Sequence, residues 1–140
     1  MSTAILWPTF ALVALVYAVL LTLGAKRFGY MRSHPPRRGD FASSETMKGY
    51  FAPVASPANN LANLFEMPVL YFGLVPLLLL FRHANHIQVA LAWVFVLLRV
   101  AHTLVHVAGK SANVRFMIFF GSCIVLSAMW IGFAIDTLGA

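Results

Sequence analysis

Arg99, His102 and His106 recur at spacings of three and four inside an otherwise apolar run. On a helix that spacing puts a permanently charged guanidinium and two imidazoles along one stripe. Asn59, Asn63 and Glu66 repeat at four and three, so they form a second stripe of two amides and a carboxylate. Ionisable groups within apolar segments are functional candidates by default, and each needs a partner. Glu66 is the expected partner of Arg99. The purely structural alternative is an Arg99–Glu66 ion pair that fixes helix register, with His102 and Asn63 as hydrogen-bonding glue. Two histidines at i, i+4 could in principle hold a metal, but neither a cysteine nor a carboxylate on the same helix completes a ligand set, and no metal site is expected. Arg115, sixteen residues after Arg99, starts another apolar run, where a snorkelling interfacial arginine is the plain reading.

The elements that carry these residues are membrane helices. Of 140 residues, 61% are hydrophobic and 10% charged, and the mean hydropathy is +0.83, values foreign to a soluble domain. Met1 to Ala25 and Phe116 to Ile135 contain no Asp, Glu, Lys or Arg. Each is long enough to cross about 30 Å of hydrocarbon as a helix. The first positive charges, Lys26 and Arg27, follow the first apolar run, the reverse of a signal peptide, so this segment is expected to stay as an anchor. The net charge of +6 comes from cations flanking apolar runs; they act as topology signals, and no nucleic-acid partner is expected. Arg37-Arg38 could meet anionic headgroups, but obeying the positive-inside bias suffices. Cys123 is the only cysteine, which excludes a disulfide framework and a cysteine metal site.

The sequence therefore predicts an all-α integral membrane protein of one domain, 1–140, with four spans at about 5–24, 57–81, 86–108 and 114–136. The intervening segment 25–56 carries Lys26, Arg27, Arg32, Arg37, Arg38 and Lys48 against Asp40 and Glu45, with Pro35, Pro36 and Pro53 interrupting regular structure. This loop is expected on the cytoplasmic side, together with Lys110, and both termini on the other. Ser56-Pro57 reads as an N-cap followed by proline in the first turn. Pro68 and Pro76 predict a kink in the second span. Arg99 lies about 13 Å along the helix axis from the end of the third span, too deep for a simple interfacial anchor. Trp7, Tyr17, Trp93 and Trp130 are expected to face lipid or the interface.

Four spans, the run Asn63-Leu64-Phe65-Glu66-Met67-Pro68, and Arg99-Val100-Ala101-His102-Thr103 with Arg115 beyond it resemble the membrane-associated proteins of eicosanoid and glutathione metabolism. That family includes microsomal glutathione transferases and microsomal prostaglandin E synthase. The resemblance spans nearly the whole chain. It implies a four-helix bundle assembling as a homotrimer, with glutathione as co-substrate between subunits near the cytoplasmic face. In its terms Asn63, Glu66 and His102 match ligand positions, Glu66 holding the peptide's amino end. Arg115 matches the arginine that stabilises the thiolate, and Arg99 the buried arginine of the bundle core. A thiol with a pKa near 8.5 is mostly protonated at neutral pH, so a neighbouring guanidinium enlarges the nucleophilic fraction.

The departures are specific. Where the family carries arginines shortly before the second-helix Asn, this chain has Asn59, Asn60 and Ala62; a third-helix tyrosine is replaced by His106; and hydroxyl positions after Arg115 are Phe116 and Phe119. Either glutathione then binds weakly, or Lys26, Arg27 or Lys110 meets its carboxylates, or the scaffold serves another ligand. The expected function is a glutathione-dependent transferase or peroxidase acting on lipophilic electrophiles that reach the site through the bilayer, with Arg115 stabilising the thiolate and Asn63, Glu66, His102 and His106 orienting the peptide. The alternative is a non-catalytic protein that binds lipid or modulates partners. A channel or transporter is disfavoured by the lack of an inverted repeat. A short compact chain suits a bacterial inner membrane.

Overall fold

The computed structural model describes residues 3–109 and 111–139; the expectation placed on Lys110 lies outside them. A 3-10 turn, Thr3–Ile5, leads into α1 (Leu6–Ser33), followed by α2 (Ser44–Tyr50), a second 3-10 turn (Ala52–Val54), α3 (Ser56–Glu66), α4 (Pro68–Leu80), α5 (His86–Val107) and α6 (Ala112–Leu138). Taken with α3 and α4 as one unit, four helical segments are long and apolar enough to cross a membrane: Thr3–Ser33, Ser56–Leu80, His86–Val107 and Ala112–Leu138. Their outer faces carry Trp7, Leu21, Leu97, Phe116 and Ile131, each at least 60% exposed. So much bare apolar surface is stable only against lipid or another apolar face. Trp7, Tyr17 and Trp93 belong to this surface. Trp130 instead is half-buried, its ring 6.2 Å from that of Phe133.

Side-chain ties at both ends show that α5 and α6 run antiparallel. Asn85 donates to Asp136 at 3.2 Å, and Arg115 meets His106 at 3.1 Å. Helix α5 packs most extensively on α6, and α1 on α3 and α5. The half of the bundle near Asn85 is closed by an apolar core of Ile5, Leu12, Tyr71, Leu74, Phe95, Leu126 and Met129. Tyr71 stacks on Phe95 with ring centroids 5.1 Å apart. Thr9 gives its one hydroxyl proton to the Ile5 carbonyl, so at 3.0 Å it must accept from the Tyr71 hydroxyl. Gln88 donates to the Met129 carbonyl at 3.0 Å. Gly132 makes room for this, because a Cβ there would stand 3.0 Å from the Gln88 amide nitrogen.

Three local expectations are corrected. First, α1 continues past the expected span end at Gly24 to Ser33, since no proline interrupts that stretch and Gly29 only weakens the helix without ending it. Second, the segment in which prolines are expected to interrupt regular structure holds a short helix between Pro36 and Pro53, α2, started by a capping box in which Ser43 and Thr46 exchange hydrogen bonds. The aromatic rings of Tyr30, Phe41, Tyr50 and Phe51 pack together and tie this segment back to α1. Third, Ser56 is the first residue of α3 rather than its cap; Ala55 takes the cap position and no side chain caps it. Proline acts in the second span at Pro68, where the helix is interrupted at Met67, while Pro76 sits inside α4 without ending it.

Helix α4 ends at an arginine in the left-handed region, Arg82 at φ 60°. The His83 N–H reaches the Leu78 carbonyl at 2.9 Å and the Arg82 N–H the Leu79 carbonyl at 3.3 Å, the bond pattern that usually selects glycine. Asn85 then starts α5 by accepting from the Gln88 N–H at 2.9 Å. Asn85→Ala, which removes both that cap and the tie to Asp136, is expected to lower stability by about 1 kcal/mol. Thermal unfolding of the detergent-solubilised protein would show it as a lower midpoint.

Candidate functional site

The polar residues gather in the other half of the bundle. Pro57 opens α3, so Asn59, Asn63 and Glu66 follow on one side of a short, strongly amphipathic helix. The opposite wall comes from the last turns of α5 and the first of α6. Between them lies a cleft of about 400 Å³ lined by Asn59, Asn63, Glu66, His102, His106 and Arg115, with Phe116 and Phe119 as its apolar side. That volume falls in the roughly 300–1,000 Å³ range of small-molecule sites.

Arg115 is half-buried and its Nη1 stands 3.1 Å from His106 Nδ1. A guanidinium has no acceptor, so it donates, and His106 receives the bond on an unprotonated Nδ1 with its proton on Nε2. The imidazole thus orients the guanidinium without adding a second positive charge. His102 is buried; its Nδ1 has no partner, and its ring lies 6.2 Å from those of both His106 and Phe119. Among the described residues no cluster of three His, Cys, Asp or Glu has the arrangement of a metal site.

Arg99 departs from its expected pairing. It is 0% exposed and does not line the cleft. Its Nη2 donates to the main-chain carbonyl of Asn63 at 2.8 Å, whereas Glu66 is exposed and forms no ion pair with it. The reason lies in the interruption of the second span. Asn63 belongs to the last turn of α3, whose terminal carbonyls have no full set of donors within the helix. The carbonyl end of α3 is therefore open and partially negative, and the guanidinium binds there. Its plane also lies near the Phe119 ring, with Cζ 5.7 Å from the centroid, while Nε and Nη1 remain unpartnered.

Two further features had weak sequence signals. Asn60, about a quarter turn from the stripe, turns inward and is fully buried beside Thr103. A second groove of about 470 Å³ shares Asn59 with the cleft and is lined by Arg27, Lys48 and Phe51, Arg27 lying 4.7 Å above the Phe51 ring. Only the fold of segment 34–55 brings Lys48 near Arg27, twenty-one residues away in sequence.

A family model described as the MAPEG family matches residues 5–135. The chain belongs to the MAPEG family. It is accordingly an integral membrane protein of a family that serves membrane glutathione-related transferase, isomerase and lipid metabolism and generally uses glutathione. No curated protein and no solved structure matches the chain significantly.

Proposed function

We propose that this MAPEG protein is a membrane-embedded, glutathione-dependent transferase or peroxidase acting on lipophilic electrophiles, with Arg115 stabilising the thiolate. The observation that carries this reading is the Arg115–His106 contact at the polar end of a cleft whose apolar side is Phe116 and Phe119. It joins a fixed cation for the sulfur to an apolar surface for the electrophile. A fixed positive charge in a site partly withdrawn from water favours an anion far more than the same charge in solution.

The donor set fits the rest of the peptide. Glu66 offers a carboxylate to an ammonium group, Asn59 and Asn63 offer amides, and the free Nδ1 of His102 remains to be matched. The carboxylates, deprived of second-helix arginines, find Arg27 and Lys48 in the adjoining groove. Arg99 supports this wall from behind through the Asn63 carbonyl. Assembly as a homotrimer, a cytoplasmic location of the basic segment 25–56 and a bacterial inner membrane belong to the same proposal. The apolar outer faces and the concentration of cations at one end of the bundle support the first two.

Calorimetric titration of the purified protein with glutathione tests the reading. Saturable binding, weakened when Arg27 and Lys48 are both replaced by alanine, is the expected result. Absence of binding at millimolar glutathione would leave the non-catalytic, lipid-binding alternative in its place.

A further inference from the structure

Between α1, α3 and α5 lies a separate cavity of about 200 Å³ that shares no lining residue with the glutathione cleft. Leu15, Val19, Pro57, Leu104 and Val107 make its walls apolar, and no charged side chain lines it. Asn60 also lines it and is 0% exposed. Its Oδ1 accepts a long bond from Thr103 at 3.4 Å, while its Nδ2 has no partner. A buried amide N–H without an acceptor carries an uncompensated desolvation cost.

Water is a poor occupant. A buried water needs two to four polar partners, and the space would admit several waters at roughly 30 Å³ each, whereas the two hydroxyls at the wall, Thr22 and Thr103, have already given their protons to the Ala18 carbonyl and to Asn60 Oδ1, leaving Asn60 Nδ2 as the free donor. A carboxylate or phosphate would be stranded without a cation. What remains is an apolar chain carrying one neutral acceptor. Leu104 and Val107, 64% and 56% exposed, flank the cavity on the outer face of a membrane-crossing helix, so such a molecule would arrive from the lipid phase. The volume lies below the roughly 300 Å³ at which sites for whole drug-sized ligands begin; it suits a chain end.

We propose that this cavity binds the carbonyl-bearing end of a neutral lipophilic molecule from the bilayer, Asn60 donating through Nδ2 to the carbonyl oxygen. The proposal is independent of whether glutathione occupies the cleft.

The test uses the full chain in nanodiscs with methyl-labelled leucine and valine, titrated with dibutyl ketone and, separately, with n-decane, a pair of similar size that differs in the acceptor. The ketone is expected to shift the methyl signals of Leu104 and Val107 and to bind about tenfold more tightly than the alkane, the effect of one well-placed hydrogen bond. Asn60→Leu should bring the two within about twofold of each other, and Ala18→Phe, which fills the cavity from its exposed rim, should abolish both. Equal affinities in the wild type, a ketone preference that survives Asn60→Leu, or no shift of those methyls would overturn the proposal. Should Asn60→Leu fail to fold, the wild-type pair and Ala18→Phe still decide it.

Discussion

Replacing Arg115 with alanine is expected to abolish the ultraviolet absorbance of thiolate that appears when glutathione is added to the wild-type protein, and to slow conjugation by roughly 10²–10³-fold. A free thiol of pKa near 8.5 is only a few per cent thiolate at pH 7. Each unit by which a neighbouring cation lowers that pKa corresponds to about 1.4 kcal/mol of preference for the charged form. Removing the cation returns most of the bound peptide to the thiol. The sign of the pH dependence follows: the wild-type rate should stay high as pH falls towards neutrality, and the Arg115→Ala rate should rise with pH as free thiolate forms. Arg115→Lys tests geometry, because it retains the charge but loses the planar fork that can bond His106 and the sulfur together. An intermediate rate is expected. Single-turnover kinetics with a lipophilic electrophile and difference spectra on the same samples check both results; an unchanged thiolate signal in Arg115→Ala would remove the arginine from its proposed role.

The second large effect concerns stability. Arg99→Met is expected to leave the protein as stable as the wild type or to stabilise it by about 1–4 kcal/mol, and Glu66→Gln to change stability by less than about 0.5 kcal/mol. A buried Arg99–Glu66 pair would give the opposite outcome, each single substitution costing about 3–5 kcal/mol by leaving a charge alone. The structure has Arg99 fully buried with two unpartnered nitrogens and one bond, to the Asn63 carbonyl. Glu66 lies exposed at the cleft. Methionine fills much of the same volume without a charge to desolvate. Arg99→Ala, by contrast, should destabilise by opening a cavity between α5 and α6. Unfolding midpoints in one detergent separate these cases. Glu66→Gln should also weaken glutathione binding while stability stays constant, which would separate ligand contact from scaffold.

Why the arginine carries its charge at that depth is explained by backbone rather than by a carboxylate. Spacing alone placed Glu66 and Arg99 on facing stripes, and opposite charges on facing stripes invite pairing. The interruption of the second span at Met67 left a nearer and more rigid acceptor, a main-chain carbonyl in the last turn of α3. A main-chain carbonyl at a helix end is not a side chain, and side-chain patterns do not display it.

The sequence by itself determined that the chain crosses a membrane, because apolar runs of about 20 residues have no other solvent. It also determined which residues could share a site: Asn59, Asn63 and Glu66 on one helix and Arg99, His102 and His106 on another follow from 3.6 residues per turn. Family membership was legible in the same runs. Tertiary structure decided the rest, because each remaining feature depends on contacts between segments distant in the chain. Packing of α5 on α6 turned Arg115 onto His106, the fold of segment 34–55 brought Lys48 to Arg27, and the fit of α3 against α1 and α5 buried Asn60 beside an apolar cavity. Periodicity fixes which side of a helix a residue occupies; only the neighbour packed against that side decides whether it meets lipid, ligand or a partner.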